Sequence, residues 1–295
     1  MKDQASSLRA IVNTTTRRNT KVLSVTSGKG GVGKTNISIN LAYALSAMGR
    51  KVFLLDADLG LANVDVLLNL TPSYTIEHVL SGERRVEDII LDGPGGIKVL
   101  PSSSGVVEMA EMTQKQQDLL IKMLESIENE MDYLIIDTGA GIASNVLRFS
   151  VTADEIMLVV TPEPSSMTDA YSLIKILVNR YNINHFKVIA NSVSSQAEGK
   201  QVYERLQKVT LDFLQTELGY LGAVFRDPSL TKSVRLQKPL LELYPDSPSG
   251  RCFTALARQI DHSMRQSQSP RAALTSEPIV EKPKRFWERF LKWKK

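Results

Sequence analysis

The sequence predicts an α/β fold, a mostly parallel twisted sheet with helices on both faces, on three observations. Short runs of β-branched and aliphatic residues recur along most of the chain, and each is continuously apolar instead of alternating. Longer stretches with helical spacing follow them. A glycine-rich segment sits between the first run and the first helix. Strands that are apolar on both sides must be covered on both sides, as in a parallel sheet built from strand–helix–strand units.

Taken in order, residues 21–26 read as the first strand and residues 34–48 as a helix closed by Gly49. Residues 52–55 form the second strand and residues 99–100 a short one, with three more at 133–136, 155–160 and 187–190. Leu119, Leu120, Met123, Leu124 and Ile127 have helical spacing ahead of the 133–136 strand. No internal repeat is present. After Ser263 the pattern breaks: Ser267, Ser269, Pro270, Ser276, Pro278 and Pro283 mark a flexible linker, and a short aromatic segment follows. Four regions result: a segment 1–20 outside the sheet, an α/β domain over 21–263, a linker over 264–283, and an amphipathic stretch over 284–295.

Composition narrows the classes. An apolar fraction of 42% and a charged fraction of 23% suit a globular protein that buries a sizeable core. The single cysteine, Cys252, excludes a disulfide framework within the chain and reads as a small buried hydrophobe. His78, His185 and His262 are too scattered to suggest a metal cluster. No apolar run reaches the ~18 to 20 residues that cross a bilayer. Arg17, Arg18 and Lys21 precede no apolar signal core, so the expected compartment is the cytoplasm. The net charge of +4 is carried by the end of the sequence: seven basic and two acidic residues from Glu281 onward leave the rest at −1. A neutral body speaks against nonspecific nucleic-acid binding, and no nucleic acid is expected as a partner.

The segment Ser27-Gly28-Lys29-Gly30-Gly31-Val32-Gly33-Lys34-Thr35 leaves a strand and opens a helix, the setting a phosphate-binding P-loop requires. Its glycines let backbone N–H groups surround a phosphate, and the helix N-terminus adds positive potential. Lys34 is placed to reach the β- and γ-phosphates, and the Thr35 hydroxyl to ligate Mg²⁺. Asp56-Ala57-Asp58-Leu59-Gly60 and Asp137-Thr138-Gly139-Ala140-Gly141 follow strands, at the edge where open α/β sheets bind ligands.

With its second loop lysine, Lys29, the segment resembles the deviant Walker-A loop of the MinD/ParA-type P-loop ATPases, over roughly residues 21–260. The resemblance implies a MinD-like fold, ATP and Mg²⁺ as ligands, and an ATP-dependent homodimer in which Lys29 reaches the partner's phosphates. It implies a catalytic set of Lys29, Lys34 and Asp58, with Asp58 orienting the attacking water. Thr35, Asp58 and Asp137 are the implied Mg²⁺ set, and Gly28 through Asn36 (Gly28, Lys29, Gly30, Gly31, Val32, Gly33, Lys34, Thr35, Asn36) the phosphate cradle. Asn191 and the loop Phe225-Arg226-Asp227-Pro228 match the family's adenine-binding positions. No Asn-Lys-x-Asp guanine motif follows the corresponding strand, which favours ATP over GTP.

Two further features resemble the flagellar-number branch of that family (FlhG, also FleN or YlxH). Asp3-Gln4-Ala5-Ser6-Ser7-Leu8-Arg9 matches that branch's D-Q-A-x-x-L-R leader, and Asn36 stands where MinD proteins usually carry a threonine. The match implies that Asp3, Gln4, Ala5, Leu8 and Arg9 contact the GTPase FlhF, and that flagellar switch (C-ring) proteins are partners. Phe286, Phe290 and Trp293 follow i, i+4, i+7 spacing, with Trp287 and Leu291 beside them and basic residues around. Such a stretch is too short to span a bilayer and suited to lie in an anionic interface, placing the protein reversibly at the inner face of the cell membrane. The alternative is a helix that docks on its own domain. At the level of function the alternatives are a MinD-type division-site ATPase and a slow-turnover nucleotide-dependent scaffold; an iron–sulfur carrier would bring a C-x-x-C pair that one cysteine cannot supply.

Overall fold

The computed structural model describes residues 20–58, 63–102 and 114–267. The leader residues Asp3, Gln4, Ala5, Leu8 and Arg9 lie outside the described residues, as do Leu59 and Gly60 and the tail residues Phe286, Trp287, Phe290, Leu291 and Trp293.

Eight strands form one sheet: β1 (Lys21–Ser27), β2 (Val52–Ala57), β3 (Leu91–Asp92), β4 (Lys98–Leu100), β5 (Tyr133–Ala140), β6 (Glu155–Val160), β7 (Phe186–Val193) and β8 (Leu218–Phe225). Their order across the sheet is β3-β4-β2-β5-β1-β6-β7-β8. All neighbours are parallel except the edge pair β3 and β4. The helices are α1 (Lys34–Ala47), α2 (Val64–Leu67), α3 (Ile76–Leu80), α4 (Gln114–Ile127), α5 (Ser144–Thr152), α6 (Pro164–Tyr181), α7 (Gln196–Leu214), α8 (Pro228–Arg235), α9 (Leu240–Leu243) and α10 (Pro248–Ser267).

The strands are apolar on both sides because each side has its own cover. Val52 and Leu54 of β2 join Leu41 and Leu45 of α1 and Phe253 and Ile260 of α10 in one core. Phe53 and Leu55 point the other way, to α3, Met123, Leu124 and Ile127 of α4, and Phe149 of α5. Further along that second face, β6 and β7 pack on α6 and α7 through Leu173, Leu177, Val202 and Leu206. Period-two alternation with both phases apolar is the signature of a doubly covered sheet.

Two strands escape the sequence pattern. β3 has two residues, too few for a periodicity, and it adds an antiparallel edge. In β8 the glycines Gly219 and Gly222 interrupt the apolar run; Tyr220 pairs with Val188 and Gly222 with Ile189, so Leu221 is an extra residue in the ladder. At the other end of the domain, α10 runs four residues past the expected break at 263. Met264 is buried in the α1–α10 core and extends the folded region into the stretch assigned to the linker.

The packing of α10 includes one buried charge. Asp261 accepts two bonds from Arg50, at 2.6 and 3.0 Å, and one from Tyr133 Oη at 3.3 Å. Arg265 Nε lies 2.9 Å from Asp261 Oδ2. Burial raises the Asp261 carboxyl, but the Arg50 bond and the charges of Arg50 and Arg265 outweigh it and hold it below the ordinary value. A depressed carboxyl contributes stability that is present above the unfolded pKa of ~4 and is lost as pH falls through the folded value. Asp261→Ala should therefore cost about 3 kcal/mol at neutral pH in urea denaturation, by leaving Arg50 and Tyr133 unpaired. It should also flatten the loss of stability below pH ~4, and a variant as stable as wild type would show that the cluster contributes nothing.

Candidate functional site

The site forms where the chain changes direction across the sheet. β1 sits between β5 and β6, and its following loop crosses the strand ends into α1. Open parallel sheets bind ligands at such a crossing. Gly33 is the N-cap of α1 with φ 95°, a conformation that a side chain resists. A Cβ there would lie 2.5 Å from Nδ2 of Asn191. Gly28 is constrained from behind, because its Cβ would fall 2.1 Å from the Asp169 carbonyl carbon in α6. The loop is thus seated on two other parts of the domain. Ser27 Oγ donates to the Lys29 carbonyl at 2.7 Å, and Gly141 N donates to the Ser27 carbonyl at 2.9 Å, tying the loop to the end of β5.

Beneath the loop lie two buried carboxylates from adjacent strands, Asp56 of β2 and Asp137 of β5, which are register partners. Ser38 Oγ, one helical turn after Lys34, donates to Asp137 Oδ1 at 2.9 Å, and the Thr35 side chain also bonds Asp137. Complete burial pushes the Asp137 carboxyl up to about 7, with the Asp56 charge adding to the shift and the Thr35 and Ser38 bonds opposing it. Burial likewise raises Asp56 to about 6, against backbone bonds from Val64, Asn63 and Asp58. Asp56 Oδ1 accepts from Asp58 N at 3.1 Å, while Oδ2 accepts from Asn63 N at 2.9 Å and Val64 N at 3.1 Å. Asp58, Asn63 and Val64 are thus bonded to one side chain.

Lys34 is buried, 8% exposed, and its burial lowers the ammonium pKa, partly offset by the charges of Asp137 and Asp58. Asp58 itself lies near the end of β5, with Oδ1 3.4 Å from the Cβ position of Gly139. The structure therefore brings Lys34, Thr35, Asp58 and Asp137 to one place. A hydroxyl and carboxylates make a hard oxygen donor set of the kind Mg²⁺ takes, with water and phosphate completing the shell. No cluster of three His, Cys, Asp or Glu side chains that could hold a metal alone exists among the described residues.

Lys29 stands apart from this group on the outer lip of the loop. Its Nζ donates to Glu163 Oε2 at 2.7 Å and to Ser165 Oγ at 2.9 Å, both at the start of α6, and both charged partners are exposed. The Lys29 bond holds the Glu163 carboxyl below its ordinary value. Asn191, expected at the base, is buried at the end of β7 and donates from Nδ2 to the Val32 carbonyl at 2.6 Å. Its amide is engaged with the loop itself. Asp227, expected with the base-binding loop, has both oxygens committed to helix ends: Oδ1 accepts from Ser229 N at 2.8 Å and Oδ2 from Ser249 N at 3.0 Å. Its side chain ties α8 to α10; Phe225 is half-buried against the core, and Arg226 is exposed. Two residues of the site went unread in the sequence. Asp56 was visible in the D-x-D motif without a role, and Ser38 had only its i+4 spacing from Lys34.

A family model described as an AAA domain matches residues 20–188. The antiactivator FleN of Pseudomonas aeruginosa is 45% identical over 241 residues, covering 82% of this chain and 86% of that protein. The chain belongs to the MinD/ParA-type P-loop ATPases, close to FleN. The flagellum site-determining protein YlxH of Helicobacter pylori is 39% identical over 83% of this chain and 86% of its own length. Among solved structures, the septum site-determining protein MinD complexed with Mg-ADP from Pyrococcus horikoshii OT3 has a TM-score of 0.68 at 26% identity. That alignment covers 83% of this chain and 97% of the other. The eight-stranded, mostly parallel sheet described above is the fold matched in that comparison.

The raised carboxyl of Asp137 yields a test of the site's electrostatics. Its folded value of about 7 lies above the unfolded value, so the nucleotide-free domain loses stability as pH climbs from ~4 through 7. Asp56 contributes in the same direction up to about 6. Asp137→Asn should raise the thermal midpoint of the nucleotide-free protein at pH 8 and roughly halve its decline between pH ~4 and ~7. A variant that declines as steeply as wild type would mean that Asp137 is not the buried charge responsible.

Proposed function

We propose that this chain is an ATPase that dimerises on Mg²⁺-ATP, binds the membrane through its C-terminal segment, and regulates flagellar number and placement with the GTPase FlhF. The observation that carries the reading is the division of labour between the two loop lysines. Lys34 is buried beside Asp58 and Asp137, where it serves its own chain's phosphates. Lys29 is on the exposed lip, held by one exposed ion pair and one bond to Ser165, contacts that water screens and that contribute little. A group so placed is free to exchange its cis partner for the phosphates of a second subunit facing the same edge of the sheet. There it would stabilise charge in the transition state, as an arginine finger supplied in trans does.

The chain's own groups divide the remaining work. Backbone N–H groups from Gly28 to Thr35 cradle the phosphates, and Asp58 orients the attacking water at the end of β2. Thr35 and Asp137 would hold Mg²⁺, which supplies charge neutralisation on the transferring phosphoryl group. Ser38 fixes the Asp137 carboxylate from behind. Similarity to FleN and YlxH supports the flagellar assignment, and the D-Q-A-x-x-L-R leader supports FlhF as the partner. The neutral body and basic, aromatic tail support the anionic membrane surface as a third partner.

With hydrolysis blocked by Asp58→Ala, Mg²⁺-ATP should convert monomer to dimer in light scattering, and turnover should drop by a factor of 10² or more. Adding Lys29→Ala should return the mass to that of a monomer; an Asp58→Ala protein of unchanged mass in ATP would sink the sandwich reading.

The tail and leader have separate tests. Phe290→Glu should abolish sedimentation with anionic liposomes while leaving nucleotide binding intact, and undiminished sedimentation would reassign the tail to a docked or protein-binding role. A peptide of the first 20 residues should accelerate GTP turnover by FlhF, and the Gln4→Ala/Leu8→Ala peptide should not.

A further inference from the structure

Helix α10 carries a charge pattern that the nucleotide site does not use and that the core uses only at one end, where Arg265 pairs with Asp261. Arg251, Arg258 and Arg265 recur every seventh residue, and all three are exposed. Seven residues bring a helix back to nearly the same side, so the three form one stripe about 21 Å long. Ala255 and His262 fill the intervening positions and are exposed as well. The helix holds one acid, Asp261, which is buried on the inner side and already paired with Arg50 and Arg265. Arg251 Nη1 donates to the Asp246 carbonyl at 2.6 Å, which neutralises nothing, and Arg258 has no ion-pair partner among the described residues. The outer face of α10 therefore carries arginines and no acid of the helix's own, with Arg251 and Arg258 not paired to any acid among the described residues, on a body whose net charge up to residue 280 is −1.

The stripe's position matters as much as its sign. Ser249, at the start of α10, bonds the Phe225 carbonyl at the nucleotide edge of β8. Asp261, near its end, meets Tyr133, the first residue of β5. The helix thus runs from the nucleotide edge of the sheet to the opposite edge, and the chain continues from Ser267 into the basic, aromatic stretch at 284–295.

We propose that the outer face of α10 is a second contact surface for anionic lipid headgroups, which holds the body in one orientation against the membrane once the tail has inserted. Guanidinium groups pair with phosphate through two parallel N–H bonds, which suits a row of arginines to a headgroup layer. The inference rests on the reading of the tail as a membrane anchor. An anchor alone sets only a limit of distance: sixteen residues separate Ser267 from Lys284, a contour length of up to ~50 Å. A rigid row of arginines on the last helix adds an orientation.

The full chain with Mg²⁺-ATP is titrated onto vesicles of phosphatidylglycerol and phosphatidylethanolamine, and onto vesicles of phosphatidylcholine alone. Arg251→Gln/Arg258→Gln should weaken binding to the anionic vesicles by about 25-fold, roughly five-fold per arginine. Binding to neutral vesicles and basal ATP turnover should stay at wild-type values. Arg258→Gln alone, which breaks no bond within the domain, should give about five-fold and guards against a folding defect in the double variant. Wild-type affinity of both variants for anionic vesicles overturns the proposal. So does a loss confined to short duplex DNA, which would make the stripe a nucleic-acid surface. Phe290→Glu, run alongside, reports on the tail separately: if it binds as wild type the anchor reading fails, while the arginine variants still report on α10.

Discussion

Everything at the nucleotide edge depends on holding two carboxylates, Asp56 and Asp137, side by side out of water. Adjacent buried acids repel, and each is costly to ionise, so the surrounding residues are arranged to satisfy them. Ser38 and Thr35 of α1 turn to Asp137, and three backbone N–H groups converge on Asp56. Lys34 supplies the counter-charge to Asp137 and to Asp58. The first two turns of α1 are in this way ordered by the sheet they cross. That explains why a serine and an asparagine, Ser38 and Asn40, occupy buried positions in a helix otherwise packed with aliphatic residues. Asn40 Oδ1 accepts from Leu241 N at 3.2 Å, so the polar interior of α1 reaches the α9 segment as well.

How much of this was legible depended on whether the signal was local. The strands at 52–55, 133–136 and 155–160 announce themselves as short apolar runs, and the loop from Ser27 to Thr35 as glycines between a strand and a helix. β8 did not, because Gly219 and Gly222 break its run and the strand that pairs with it begins 32 residues earlier. The boundary at 263 was misplaced for a related reason. Met264 looks like one apolar residue in a polar stretch, and only its burial in the α1–α10 core makes it part of the helix.

Site residues followed the same rule. Lys34, Asp58 and Asp137 were read from motifs, and the structure adds what motifs omit, namely the partners. Ser38 acts across 99 residues and Asn191 across 159 to the Val32 carbonyl; neither contact has a local trace. Asp227 was assigned by its place in a loop, and its oxygens turned out to join α8 to α10. A position next to a ligand-binding loop does not reveal which way its side chain is committed.

The seat of Gly28 against Asp169 has a consequence for how this fold tolerates change. The phosphate loop has main chain for its rear wall, and two backbones in contact leave a spacing that no rotamer adjusts. Apart from Glu163 and Ser165, which hold Lys29, the contact at Gly28 leaves the seat of the loop to main chain and not to the side chains of α6. No substitution on either segment repairs a misplaced loop. The geometry of the phosphate cradle is thus set by how a helix sits on a sheet, a property of the whole core and not of any one side chain.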